Sequence, residues 1–266
     1  MAEPREILAL YDQEIRRDPV AEPGYRVERV GPVVRVVGPD GWVIYSDLTD
    51  ANVRETVASQ AEFFRHAGID VEWKWFGHDR PPGLPAALEA EGFLPEEPET
   101  IVVFDLQHDL PRGTLPDDTE IRRVTDASGL RDAEAANTAA FGPPAHPFLA
   151  PWTQRLNDPN IGLFVAYVHG TPIASGRVEM IPGRSFAGLW GGGTAPAHRH
   201  RGIYRGLVAA RAELARASGS RYLTVDARET SRPILERLGF VPLTTTRAWV
   251  IRNAPAEGTG APVGAA

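Results

Sequence analysis

The sequence contains no cysteine. That absence excludes disulfides, thiolate metal sites and a cysteine nucleophile, and it suits the reducing cytoplasm, which is the expected compartment. No apolar run approaches the roughly 18 residues that a membrane-spanning helix needs. The opening MAEPREILAL is too short and too acidic for a secretory signal, so no membrane association is expected. An excess of positive charge is missing too. The formal net charge of −7 sets the bulk field against nucleic acid and anionic membranes, and any anion site must be a local feature. What remains is ordinary for a folded chain: 42% apolar and 24% charged residues rule out a disordered or collagen-like protein. The 266 residues suffice for two domains, each with a core.

Two stretches break the chain. APAEGTGAPVGAA (254–266) consists of small residues, Pro and Gly that bury too little surface to order themselves, so it is expected to be a disordered tail. QHDLPRGTLPDD (107–118) mixes prolines, a glycine and acids, as an interdomain linker does. The expected domains are therefore 1–112 and 113–253. The two halves resemble each other: VASQAEFFRHAG (57–68) lines up with VAARAELARASG (208–219), and LEAEGFLP (88–95) with LERLGFVP (235–242). Two matches in the same order, one including Gly-Phe-x-Pro, point to a duplication.

In the second half, EIRRVT alternates like a strand and ASGLRDAEAANTAAF has helical spacing. PFLAPWTQRLN reads as a short second helix. Three strand-like runs follow, IGLFVAYVHG, TPIASGRVEMIPG and RSFAGLWGGGT, separated by glycine-containing turns as in an antiparallel meander. Apolar residues at 203, 207, 210, 214 and 217 mark one helix face, ended by Gly219. A strand RYLTVDA, a helix SRPILERL closed at Gly239 and a last strand RAWVIRN complete the order β-α-α-β-β-β-α-β-α-β. The fold class is α/β (α+β), with a mixed, mostly antiparallel twisted sheet flanked by helices in each half.

HRHRGIYRGL (198–207) stands between the glycine-rich strand and this helix. A helix beginning at Gly202 leaves about four N–H groups without partners and carries partial positive charge. No Ser, Thr, Asp or Asn directly precedes it to satisfy those donors, and Arg199, Arg201 and Arg205 add charge suited to phosphate. In the first half the corresponding start is acidic, with Asp50 available as its own cap. His198 and His200 stand two apart beside arginines with no third ligand nearby, so no metal site is expected.

TAPAHRHRGIYRGL resembles the acyl-CoA loop of the GNAT superfamily of acyl-CoA-dependent N-acyltransferases, whose signature is Gln or Arg, two residues, Gly, one residue, then Gly or Ala. The element order and the ILERLGF helix end resemble that family too. The likeness covers most of 119–252, and 25–106 as a degenerate copy, which would make the protein a tandem GNAT. It implies that acetyl-CoA is the cosubstrate, that the main chain at Gly192, Gly193 and Thr194 pairs with pantetheine, and that Arg199, His200, Arg201, Gly202, Ile203, Tyr204 and Arg205 hold the pyrophosphate. Tyr204 departs from the signature, which has Gly or Ala there. Leu235 stands where the family often has a tyrosine that protonates the departing thiolate; a thiol of pKa about 8.5 can leave unprotonated near neutrality.

An amine attacking a thioester needs positioning, donors at the developing oxyanion and removal of one proton. Glycines 191–193 suit a strand that splays from its neighbour and frees N–H groups. Glu179 and Asp226 are the candidate bases. Phe148, Trp152 and Trp190 are the candidate acceptor-binding residues, and VEWKWFGHD (71–79) either braces the second half or walls the acceptor cleft. The expected activity is transfer of an acetyl or related acyl group to a primary amine of a small molecule, by a monomer or homodimer. The alternatives are a non-catalytic acyl-CoA-binding or regulatory protein and a nucleic-acid-binding module, the latter opposed by the acidic whole.

Overall fold

A computed structural model describes residues 3–110, 115–143 and 152–253. The chain divides into two compact units. One is formed by 102–242, the other by 3–101 together with 243–253. This moves the boundary expected at 112. The supposed linker does not connect two bodies: Leu106 and Leu110 are buried in the core of the carboxy-terminal unit, and Leu115 packs against Gly206. The tail at 254–266 lies outside the described residues.

The amino-terminal unit opens with α1 (Pro4–Tyr11) and a π-helical turn (Asp12–Arg17). Then come β1 (Arg26–Val30), β2 (Val33–Val37), β3 (Gly41–Ser46), α2 (Val53–Ala67), β4 (Val71–Phe76), α3 (Leu84–Ala90) and β5 (Leu94–Pro95). β1 to β3 form an antiparallel meander, and α2 carries the chain across so that β4 runs parallel to β3. Val53, Val57, Ala61 and Phe64 line one face of α2 at helical spacing and pack with Val43, Trp73 and Phe93. Trp73 is 1% exposed and Trp75 packs against the same cluster, so the aromatic run at 71–79 belongs to this unit's own core. Asp50 does not cap α2. The N-cap is Asn52, whose Oδ1 accepts from the Thr49 N–H at 2.7 Å.

In the carboxy-terminal unit, the end of β6 (Glu99–Asp105) leads to β7 (Thr119–Arg123), α4 (Ala127–Phe141), β8 (Ile161–Val168), β9 (Thr171–Met180) and β10 (Phe186–Thr194). α5 (Ile203–Ala217), β11 (Tyr222–Ala227) and α6 (Arg232–Arg237) follow. The strand order is β6-β11-β10-β9-β8-β7, antiparallel from β7 to β10 and parallel between β10 and β11. The α/β class and the element order expected from the sequence are those of the structure; of the expected second short helix, Trp152 and Thr153 are helical, while 147–151 lie outside the described residues. Alternation along the strands gives the sheet two covered faces. Leu163, Val165 and Tyr167 pack with Leu130, Ala133 and Ala136 of α4, while Phe164, Ala166 and Val168 pack with Ile203, Leu207 and Val208 of α5.

The last strand, β12 (Val241–Ile251), departs from expectation. From Leu243 onward it belongs to the amino-terminal unit, where Thr246 to Ile251 pair antiparallel with β4 and Trp249 and Ile251 join the core. Residues 102–105 of β6 complete the other sheet beside β11. Each half of the sequence thus supplies the closing strand of the other half's sheet.

Candidate active site

β10 and β11 are joined by three parallel pairs, Phe186 with Tyr222, Ala187 with Leu223 and Gly188 with Thr224. Beyond Gly188 both strands continue, to Thr194 and Ala227, without pairing, so the sheet opens as a wedge. On its other edge β10 bulges. Trp190 faces Arg177 and Gly193 faces Ser175, which leaves Gly191 and Gly192 opposite Gly176 alone. Gly191 has φ +57°, a left-handed conformation that L side chains rarely adopt and the extra residue of the bulge requires.

The loop after β10 makes one 3₁₀ turn (Pro196–His198), passes through His200 at φ +63° and reaches Gly202 at φ +82°. Gly202 is the N-cap of α5 and no side chain caps the helix, so the donors of its first turn face outward without a protein acceptor from the cap. Ile203 is buried and anchors the helix start. The three arginines differ. Arg199 donates from Nε to the Thr194 carbonyl at 3.0 Å and from Nη2 to the Ala140 carbonyl at 3.4 Å. Arg201 donates from Nη2 to both carboxylate oxygens of Asp118, each at 2.8 Å, and this hydrogen bond holds the Asp118 carboxyl below its usual range. Arg205 is exposed and has no partner among the described residues.

Tyr204 turns its ring inward, under the strand: a Cβ placed on Gly192 would lie 3.1 Å from Tyr204 Cε2. Burial raises its phenol above the ordinary value, although Arg211 acts in the opposite direction. Leu235 is fully buried in the hydrophobic core.

The remaining site residues share the opposite, α4 face. Register places Arg177 and Glu179 of β9 beside Trp190 and Gly188 of β10, and Thr224 and Asp226 follow on the same face of β11. Glu179 accepts from Arg177 Nε at 2.7 Å. The Arg177 guanidinium lies 4.9 Å from the ring centre of Trp152 and 5.8 Å from that of Trp190, a cation between two indoles. Asp226 is buried, 7% exposed. The structure therefore brings Glu179, Trp190 and Trp152 together around Arg177, with Asp226 on the neighbouring strand; Phe148 lies outside the described residues. Phe141 at the end of α4, 56% exposed, lies over Gly193, where a Cβ would meet its ring at 2.3 Å.

Residues 129–240 match the model of the acetyltransferase (GNAT) family. This segment is a GNAT-family domain. Among solved structures, the chain is similar to a GCN5-related N-acetyltransferase from Kribbella flavida, with 18% identity, TM-score 0.67, and 94% of this chain and 96% of that one covered. It is also similar to a GCN5-related N-acetyltransferase from Sphaerobacter thermophilus, with 15% identity, TM-score 0.64 and coverage of 96% and 93%. A tandem GNAT protein from the clavulanic acid biosynthesis pathway aligns at 15% identity and TM-score 0.58, covering 89% and 86%. At these identities the likeness is one of fold, and the two-unit arrangement fits these neighbours. No curated protein matches the sequence.

Arg177, Phe141 and Arg211 also stand at this site, with little in the sequence to mark them. Arg177 looked like any polar residue of an alternating strand, and Phe141 was hidden in an alanine-rich helix end. Arg211 carried a signal: it lies four residues after Leu207 and three before Leu214, on the apolar side of α5. The buried positions of α5 are Ile203, Leu207, Val208, Arg211, Ala212 and Ala215; of the expected face, Ala210 and Leu214 are partly buried against the same core and Ala217 is exposed.

Proposed function

We propose that the carboxy-terminal unit transfers an acetyl or related acyl group from acyl-CoA to a primary amine of a small molecule, by direct attack on the thioester. The observation that carries this reading is the combination of an open β10–β11 wedge with an uncapped helix start at Gly202 directly after it. An extended pantetheine arm fits a gap between strands that have stopped pairing, and a diphosphate fits free helix N–H groups. Arg205 is the arginine available to it, while Arg199 and Arg201 shape the loop through Thr194, Ala140 and Asp118. Gly192, Gly193 and the buried, unpartnered Thr194 hydroxyl line the arm's path, and His200, Ile203 and Tyr204 complete the loop.

The acceptor enters from the α4 face, between Trp152, Trp190 and Phe141. Thioester aminolysis forms the C–N bond, breaks the C–S bond and sends the electron pair to sulfur, while the ammonium proton passes to a carboxylate. Glu179 and Asp226 are the two on this face, and Asp226 stands at the wedge itself. With Leu235 in place of a tyrosine, sulfur departs as thiolate.

The amino-terminal unit is, in this reading, a copy that has lost its acyl-CoA loop. Its β3-α2-β4 crossover has the same three parallel pairs as β10-α5-β11, and Phe93 and Phe240, each after a left-handed glycine, are buried alike. Release of free thiol from acetyl-CoA across a panel of small amines tests the function. Amine-dependent release supports the enzyme; saturable acetyl-CoA binding with no release on any amine favours the non-catalytic binding protein.

A further inference from the structure

Arg211 is 1% exposed and meets no carboxylate among the described residues. Its Nε donates to the Leu207 carbonyl at 3.0 Å and its Nη1 to the Arg177 carbonyl at 3.2 Å, while Nη2 makes no hydrogen bond. The guanidinium lies against the α5 side of β9 and β10. A Cβ at Gly176 would stand 2.9 Å from Nη1, and one at Gly192 3.2 Å from Nη2. Two glycines on adjacent strands, one of them in the bulge, are what admit the group. The Tyr204 phenol interacts with it from the first turn of α5. A guanidinium stays charged in proteins, and an isolated buried charge is costly unless something balances it. The hydrophobic core needs no cation here, since Leu207, Val208 and Ala212 already pack the same helix face.

We propose that Arg211 is a positioning residue for acyl transfer, a fixed positive charge behind the β10 bulge that is balanced by the negative charge developing in the wedge on the acyl oxygen and then on the departing sulfur. The inference rests on the acyl-transfer reading above. The amine nitrogen bonds to the acyl carbon, the C–S pair moves to sulfur, the ammonium proton passes to a carboxylate on the α4 face, and the products are the amide and CoA thiolate, with no oxidant or reductant involved. Arg211 makes no bond in this step. It acts across the thickness of one strand, in surroundings that screen charge far less than water does. The unpartnered Thr194 hydroxyl on the same side of the strand gives the bulged end a second unsatisfied group.

The test is the ionisation of CoA bound to the full-length protein, followed by the ultraviolet absorbance of its thiolate as pH is raised, with saturation confirmed at each pH. The bound thiol of the wild type should titrate about tenfold more readily than free CoA, at about 7.5 rather than about 8.5. Arg211→Gln should return it toward the free value and lower kcat roughly 10- to 100-fold with little change in KM for acetyl-CoA. Arg211→Lys, which keeps the charge, should retain most of both effects. A wild-type thiol that titrates at or above the free value overturns the proposal whatever the variants do. So does an unchanged titration in a folded Arg211→Gln. Failure of CoA to bind at all removes the acyl-transfer reading as well, so the two failures are told apart.

Discussion

Arg201 and Asp118, 83 residues apart in sequence, are joined by two 2.8 Å contacts from one guanidinium nitrogen to both carboxylate oxygens. The pair ties the loop before α5 to the residue that precedes β7, and it places an acid beside the arginine cluster. Asp118→Asn removes that negative charge and releases Arg201. Because the pair is about one third exposed, the effect is small and screened by salt. Acetyl-CoA should bind about two- to fivefold more tightly at low salt, and the gain should vanish as salt is raised. Calorimetric titration at two salt concentrations checks both parts.

Gly176 has no room for a methyl group unless a buried charge or the main chain of the bulge moves. An ideal Cβ there lies 2.9 Å from Arg211 Nη1 and 3.3 Å from the Gly192 Cα, so the buried guanidinium or the bulge must shift. Gly176→Ala should destabilise the protein by about 1–3 kcal/mol, the usual cost of overpacking. It should also reduce turnover more than Gly170→Ala does. Gly170 tests left-handed strain alone, because its added Cβ would meet nothing within 4 Å.

The closing strands make a prediction about truncation. A fragment 113–253 retains β12 but lacks Val102, Phe104 and Leu106, all buried in its core. Each such side chain contributes about 1.5–3 kcal/mol. The fragment should be insoluble or lack a cooperative unfolding transition, whereas the full chain has one. Circular dichroism with thermal scanning distinguishes the two.

Asp105 couples the carboxy-terminal unit to acid. Its carboxylate accepts from Arg221 Nε at 2.8 Å and Nη2 at 2.9 Å. Burial alone would raise its pKa, but the Arg221 hydrogen bonds and the Gln107 N–H outweigh burial and hold it below the ordinary 3.8. A carboxyl depressed in the folded state contributes stability that is present above its ordinary pKa and is lost as pH falls through the folded value. Asp105→Asn should therefore cost about 1–3 kcal/mol at neutral pH, discounted because Arg221 is about one third exposed, and the difference from wild type should shrink below pH 3.8. Urea unfolding at neutral and acidic pH measures it.

Much of this architecture was legible in the residues. Alternation and helical spacing are local properties, so the meander, the long helix after HRHRG and the Gly-Phe helix ends could be read directly. The three glycines marked the bulge because Gly191 takes a left-handed φ and side chains pack closely over Gly192 and Gly193. The strand exchange was not legible. RAWVIRN reads as a strand wherever it pairs, and nothing local distinguishes β4 from β11 as its neighbour. The roles of Arg199 and Arg201 were hidden for a related reason: a basic loop has the same composition whether its side chains point at a ligand or at Asp118 and carbonyl oxygens. Asp50 was expected to cap α2, yet Asn52 ends up at the helix start.

In the proposed function, the diphosphate of acyl-CoA sits on the uncapped start of α5 at Gly202. A ligand present at 100 times its Kd stabilises the native state by about 2.7 kcal/mol, so thermal unfolding with acetyl-CoA, compared with free adenine nucleotides, reads the site directly. Acetyl-CoA should raise the unfolding temperature more than the nucleotides do. Gly202→Glu should abolish the rise with the fold intact, while Gly202→Asn, which tolerates a left-handed backbone without adding charge, should keep part of it. An acetyl-CoA shift that is absent from the wild type, or unchanged in Gly202→Glu, would contradict the account.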